Sequence, residues 1–231
     1  MKVSNINNPN FFTDVSDEIE TNNIDFDKKD ISNKKQREQY KTSKTLELLD
    51  KYKALDEFPK QDQEAFRRVL KDDFLSIEEV NSLTYEQTFK LQRLTFTPLG
   101  NELHIINTIK YENAVEDILA MTEISGSEVF NKSMMKTMQK IESQGDRALL
   151  ISEVYRNLST YYSSIKNKKL PLFERIMMKV NTNELISNVL TNIYQKLNSC
   201  NLSFDLTKKY KKLESLYQIL KSSYNEVITK A

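Results

Sequence analysis

The side chains best suited to covalent or metal chemistry are scarce in this sequence. The 231 residues include one histidine, His104, and one cysteine, Cys200. A Ser-His-Asp triad, a Cys-His pair or a histidine-rich zinc site would therefore depend on a single residue, and the chain cannot form an intramolecular disulfide. His104 stands among aliphatic residues and Cys200 near a predicted helix end. We therefore interpret both as structural residues.

Carboxylates could supply a different chemistry, a magnesium site acting on a phosphorylated substrate. Glu112, Glu116 and Asp117 fall on adjacent turns of a predicted helix, and acidic pairs occur at 72–73 and 78–79. The sequence has no DDxxD, GxGxxG, Walker A, HExxH or EF-hand motif. We interpret the acids as solvated helix faces and predict no catalytic residue, metal ligand or cofactor. A magnesium-dependent helical phosphate-ester enzyme remains an alternative.

Lysines and tyrosines accumulate in the C-terminal half of the chain. Residues 147–231 carry 14 Lys and Arg against 6 Asp and Glu, whereas residues 1–146 carry 20 against 27. Such a surface can attract an acidic partner or nucleic-acid phosphates. Only seven of the 34 cationic residues are arginines, and no nucleic-acid-binding module is visible, so nucleic acid is an alternative hypothesis. The basic patch comprises Lys166, Lys168, Lys169, Lys208, Lys209, Lys211 and Lys212.

The elements that must position these side chains are predicted to be helices. With three glycines and four prolines, the chain has few places for hairpins or phosphate-binding loops. The pattern predicts an all-α fold, an antiparallel bundle of about seven to nine helices with a disordered N-terminal tail and no strand pair. The candidate helical segments, of which 61–74 and 77–82 are short, span about 34–55, 61–74, 77–82, 85–95, 101–121, 127–143, 146–167, 171–180, 182–198 and 205–228.

Local signals mark several helix starts and one break. Ser76 with Glu79, and Thr84 with Gln87, each have the spacing of a capping box. The segment 95–100, with a proline and a glycine, is the clearest interruption. We therefore divide the chain into a tail, a small helical region over 34–98 and a helix bundle over 101–231.

The last predicted helix carries a heptad seam, with tyrosine at each a position and leucine or valine at each d position. Two further apolar stripes lie within 151–165 and 186–197. One interpretation is that the three stripes form the core. The other is that the tyrosine seam stays open for a partner protein or a second copy of the chain, because a tyrosine hydroxyl needs a polar partner when buried. The seam consists of Leu206, Tyr210, Leu213, Tyr217, Leu220, Tyr224 and Val227, of which the three tyrosines are the predicted contacts.

The first 33 residues are predicted to be a disordered acidic tail, with seven asparagines and a net charge of −4. Phe11, Phe12, Val15 and Ile19 form either a short docking motif or an anchor that folds back on the domain. In composition the tail is similar to the polar N-terminal signals of type III and flagellar export substrates, which makes an export-linked protein another alternative.

These patterns together favour a non-enzymatic helical interaction, scaffold or assembly-accessory protein. Its expected partners are proteins, including a second copy of the chain through the terminal helix. The sequence has no stretch approaching the roughly 20 apolar residues of a membrane span. A single cysteine and the absence of an apolar signal segment fit the cytoplasm, and the asparagine- and lysine-rich composition suggests a bacterial, AT-rich genome.

Overall fold

The computed structural model of the chain describes residues 43–96, 98–99, 103–166, 178–199 and 202–229, all within one compact unit. The predicted tail, most of the predicted proline-led helix and Cys200 lie outside these residues.

The prediction of an all-α fold is confirmed. Two short 3-10 turns accompany the α-helices, and strands amount to four two-residue segments in the described part of the chain. None of the helices in that part is both long and apolar enough to cross a membrane. The described α-helices are α1 Lys44–Lys51, α2 Lys60–Val69, α3 Ile77–Asn81, α4 Tyr85–Phe96, α5 Val115–Ala120, α6 Glu128–Lys140, α7 Gln144–Lys166, α8 Thr182–Leu197 and α9 Phe204–Ile228.

The two predicted capping boxes are confirmed and fix the starts of α3 and α4. The Ser76 hydroxyl accepts a hydrogen bond from the Glu79 amide, and the Glu79 carboxylate accepts one from the Ser76 amide. Thr84 and Gln87 exchange the same pair of bonds, at 3.1 and 3.0 Å. Each box satisfies amides that the first helical turn leaves unpaired, so the local sequence favours these two boundaries.

Asp73 lies four residues beyond the end of α2 and holds the start of α1. The predicted helix over 61–74 is too long, since α2 stops at Val69 and Asp73 takes a positive φ of 60°. Its carboxylate accepts hydrogen bonds from the Ser43 hydroxyl at 2.6 Å and from the Lys44 and Thr45 amides at 3.0 and 2.9 Å. Burial alone raises the pKa of Asp73, but these hydrogen bonds outweigh it, so its pKa lies below the ordinary value.

The helix predicted over 101–121 is wrong in its first part, where the chain forms short strands instead. Strand β1 (Phe74–Leu75) pairs in parallel with β4 (Lys110–Tyr111), and β2 (Pro98–Leu99) pairs antiparallel with β3 (Leu103–His104). The helix begins only at Val115, after Ala114 with a positive φ of 84°. The parallel pair satisfies backbone groups that a helix would have satisfied internally.

Arg147 joins three segments at the start of α7. This helix begins at Gln144, two residues before the predicted start at 146, and the Ser143 hydroxyl accepts from the Asp146 amide at 3.3 Å. The Arg147 guanidinium, 3% exposed, donates to the Asp117 carboxylate of α5 at 2.9 Å. It also donates to the carbonyls of residues 141 and 142 at 2.7 and 2.9 Å. The planar fork of one arginine thus joins α5, the α6–α7 linker and α7.

The three apolar stripes do form much of the core. Helix α9 packs along α6 and α8 and contacts α7. Val154, Leu158 and Ile186 of the second and third stripes are at most 3% exposed. Helix α6, predicted over 127–143 but not among the three stripes, also contributes buried Phe130 and Met134 to the same core.

Candidate functional site

Helix α9 is much longer than two of the helices it packs against, α6 and α8, and about as long as the third, α7, which has 23 residues. Helix α9 has 25 residues, against 13 in α6 and 16 in α8. At 1.5 Å per residue these helices are about 37, 20 and 24 Å long. A part of α9 therefore extends past α6 and α8. The Ser203 hydroxyl, which accepts from the Leu206 amide at 3.3 Å, caps its first turn.

Burial along the heptad seam locates the extended part at the N-terminal end of α9. Leu206 is 44% exposed and Tyr210 is half-buried, whereas Leu213 is 2% and Leu220 is 0% exposed. The seam thus leaves the core over its first two turns. Along its middle the same spacing is used for helix packing.

Tyr217 belongs to the buried part of the seam. It is 1% exposed, and its hydroxyl accepts a hydrogen bond from the Asn157 side-chain amide of α7 at 2.9 Å. Burial raises the pKa of Tyr217 far above the ordinary tyrosine value. The polar partner that a tyrosine at a core position requires is therefore supplied from within the chain, and Tyr217 presents no surface to a partner protein in this structure.

The half-buried Tyr210 contacts α8. The Lys196 ammonium lies 5.0 Å from the centroid of the Tyr210 ring, a cation–π contact. Further along, the Gln218 amide donates to the Tyr194 hydroxyl at 3.0 Å. Since the residue numbers rise on α9 as they fall on α8, these two helices run antiparallel, as predicted.

The four lysines of the predicted basic patch that lie on α9 fall into two pairs. Lys209 lies 3.4 Å from a Glu153 oxygen and Lys212 lies 2.6 Å from an Asp146 oxygen, both on α7. Lys208 and Lys211 are exposed and form no ion pair with any residue that the structure describes. Of these four lysines of the predicted basic patch, two thus form ion pairs within the chain and two face the solvent. The side chains of the other three patch residues, Lys166, Lys168 and Lys169, lie outside the described residues.

Phe204 is the residue that the sequence-based prediction missed. It lies in the first turn of α9 and is 82% exposed, the highest value among the exposed large hydrophobic residues of the described chain. Phe204, Lys208 and Lys211 are spaced four and three apart and so share one helix face. We call Phe204, Leu206, Lys208, Tyr210 and Lys211 the α9 head.

Other predicted contacts lie elsewhere. Tyr224 is half-buried against the core near the far end of α9. The tail residues Phe11, Phe12, Val15 and Ile19 lie outside the described residues, so that docking motif stays a prediction.

A groove of about 430 Å³ lies between α6 and the last turns of α9. It is lined by Met135 and Val227 among others. Lys132 at its rim pairs with Glu86 at 2.9 Å and with Glu128 at 2.6 Å. Two carboxylates thus surround one ammonium group at this part of the rim.

The carboxylates considered for a magnesium site are dispersed over structural roles. Glu112 precedes α5, so it does not share a helix face with Glu116 as predicted; it accepts from the Ile77 amide at 2.7 Å. Asp117 binds Arg147, and Asp73 holds the start of α1. Over the described ranges, no three His, Cys, Asp or Glu side chains are placed to hold a metal ion. The backbone of His104 lies in β3, but its side chain is outside the described part.

Comparison with known proteins yields no relative. The chain matches no protein-family model, no curated protein and no solved structure. Its function is therefore inferred from its own residues.

Proposed function

We propose that this chain is a non-enzymatic helical interaction protein that binds a protein partner through the α9 head and acts in the cytoplasm as an adaptor or assembly accessory. The observation that carries the proposal is the exposure of Phe204, at 82%, and Leu206, at 44%, in the first turn of a helix whose later seam is buried.

Exposure of these two residues has a physical consequence. Fully burying a leucine or phenylalanine side chain contributes about 1.5–3 kcal/mol. Aromatic residues at the centre of an interface often account for much of its binding energy. Phe204 and Leu206 point to different sides of the first turn of α9, so each can anchor a different part of a partner without loop ordering.

A site-specific photo-cross-linking experiment tests the proposal. A photoreactive phenylalanine analogue is placed at position 204 in the full chain, and in a matched control at Ser222, which is exposed and lies five turns further along the same face of α9. We expect a discrete protein adduct from position 204 in a lysate of the native cells, which Leu206→Ser abolishes. Equal adducts from both positions, or none from position 204, would refute the proposed function.

The N-terminal segment is proposed as a second docking element, because its phenylalanines stand in an acidic setting. Deleting residues 1–33 is expected to weaken capture of the same partner. Unchanged affinity after this deletion would remove the segment from the proposal and leave the α9 head in place.

A further inference from the structure

We propose that the groove between α6 and the last turns of α9 binds a small amphipathic carboxylate, a molecule with one carboxylate head group and an apolar body. The head group lies beside Lys136, and the apolar body covers Leu83, Met135 and Val227. The groove is remote from the α9 head along the same helix, so this inference goes beyond the proposed function and does not depend on it.

The floor of the groove is apolar and is assembled from three parts of the chain. Leu83 precedes α4, Met135 lies on α6 and Val227 lies on α9. All three are classed as buried, yet each keeps 6–9% of its surface exposed. The groove volume of about 430 Å³ falls in the range of small-ligand sites, about 300–1,000 Å³. A compact apolar body therefore fits here, and the flexible thioether of Met135 can adapt to its shape.

One wall of the groove is held in place by contacts within the chain. The Tyr85 hydroxyl donates a hydrogen bond to the carbonyl of residue 122 at 2.8 Å. Its ring stacks on that of Phe89, with the centroids 6.4 Å apart, and the Lys132 ammonium lies 5.1 Å from the Tyr85 centroid. A ligand that enters a wall fixed in this way loses less affinity to side-chain ordering.

The charges near the last turns of α6 favour a negative head group. The Glu226 carboxylate pairs with two ammonium groups, that of Lys140 at 2.5 Å and that of Lys136 at 3.6 Å. The hydrogen bond from Lys140 lowers the pKa of Glu226, so this carboxylate is ionised at neutral pH and balances one of the two lysines. Among these three side chains one positive charge is in excess. Lys136 has the longer ion pair and lines the groove, so a carboxylate beside it would balance that charge.

The opposite end of the groove has a negative excess, but this excess is more exposed to solvent. Lys132 pairs there with Glu86 and Glu128, whose side chains are 58% and 64% exposed, whereas that of Lys136 is 28% exposed. Water and salt screen exposed charges more than partly buried ones. An amine at this end therefore gains less than a carboxylate gains beside Lys136.

Three ligands with the same apolar chain test the proposal on the full protein: octanoate, octylammonium and the neutral isostere octanamide. The methyl signals of the methionines, observed by NMR, report binding, and Met135→Leu assigns the Met135 signal. Octanoate should shift this signal more than that of the fully buried Met134. It should bind about two- to fivefold more tightly than octanamide, and more tightly still than octylammonium. Hexanoate should bind about tenfold less tightly than octanoate, because each buried methylene contributes about fourfold.

A substitution at Lys136 tests the assigned position of the head group. Lys136→Gln should weaken octanoate binding about two- to fivefold. The same variant should leave octanamide binding unchanged, which also shows that its groove is intact. The matched control is Lys221→Gln, because Lys221 is an exposed lysine of α9 that does not line the groove. This control should change neither affinity.

Several results would overturn the inference. They are an unmoved Met135 signal, binding of octanamide or octylammonium as tight as that of octanoate, and unchanged octanoate affinity in Lys136→Gln. Tightest binding of octylammonium would assign the groove to cations through the exposed carboxylates instead. The adduct expected at position 204 concerns the other end of α9, so the proposed function and this inference can fail separately.

Discussion

Arg147 is the buried charge whose removal should destabilise this protein most clearly. Its guanidinium, 3% exposed, binds the Asp117 carboxylate and the carbonyls of residues 141 and 142. Replacement by methionine keeps an unbranched apolar stem of similar volume and removes every donor. One carboxylate and two carbonyls then lose their partner at once.

The expected loss in the free energy of unfolding depends on how deeply the Arg147 and Asp117 side chains are buried. Removing one partner from a buried ion pair costs about 3–5 kcal/mol. The Asp117 side chain is 31% exposed, so water can solvate it in the variant and the lower end applies. We expect Arg147→Met to lower the free energy of unfolding by about 3 kcal/mol. Arg147→Lys keeps the charge but not the planar fork, and should lose about 1–2 kcal/mol.

Urea unfolding of the full chain, followed by circular dichroism at 222 nm, measures both losses. The matched control is Arg67→Met, because Arg67 pairs with Asp50 while the two side chains are 44% and 55% exposed. That exposed pair should contribute less than about 1 kcal/mol. A loss in Arg147→Met no larger than in Arg67→Met would refute the assigned role of the buried guanidinium.

Three further predictions follow from burial and hydrogen bonding. Asp73→Asn should lower stability by about 1–2 kcal/mol at pH 7. Because folding lowers the pKa of Asp73, the stability that its carboxylate contributes is complete above about pH 4 and is lost as the pH falls through the pKa of the folded protein. The urea midpoints of the two proteins should therefore converge in acid, and a difference that stays constant with pH would contradict this. Leu220→Ala, at a fully buried seam position, should lower the free energy of unfolding by about 2–5 kcal/mol, whereas Leu206→Ala should lower it by less than about 1 kcal/mol. Equal losses in thermal unfolding would show that the seam does not emerge from the core. In ultraviolet titration the phenols of Tyr111, Tyr162 and Tyr217 should resist ionisation at pH 11. Burial raises the pKa of Tyr111 and Tyr162 to about 12 and that of Tyr217 further. Normal titration of all tyrosines in the folded protein would refute this burial.

The predictions that rest on local chemistry match the fold most closely. The capping boxes at Ser76 and Thr84 place α3 and α4 to within a residue, because the hydrogen bonds that define them join residues three apart. The predicted start of α8 at residue 182 is also correct, and there the Asn181 side chain accepts a hydrogen bond from the Glu184 amide. The heptad seam predicted the buried face of α9, since a helix period is visible within the segment itself.

The segment 101–114 could not be predicted in the same way. Its aliphatic residues, among them Ile105 and Ile109, also suit a helix period. Its strand β4 instead depends on Phe74 and Leu75, about 35 positions earlier in the chain, a contact that a local pattern does not contain. Ala114 adopts a left-handed φ, which costs an L-residue about 1–2 kcal/mol. The break between this segment and α5 is therefore set by tertiary packing rather than by local helix propensity.

The candidate site was predicted in part. The heptad pattern identified α9 and its tyrosines, but it cannot show where a seam leaves the core, because that depends on the lengths of the packing helices. Phe204 lies off the heptad spacing, four residues before Lys208 and on the lysine face. An apolar aromatic residue on an otherwise polar helix face was the signal that could have found it.

The buried methionines have a consequence for chemical ageing. Met121, Met134 and Met138 are at most 1% exposed. Peroxide converts a thioether to a polar sulfoxide, which a tightly packed interior does not readily accept. In the closed protein the reagent cannot reach these sulfurs, so each oxidation event records a transient opening of the interior. Slow sulfoxide accumulation would thus mark molecules that have opened, and each lesion would make the next opening easier.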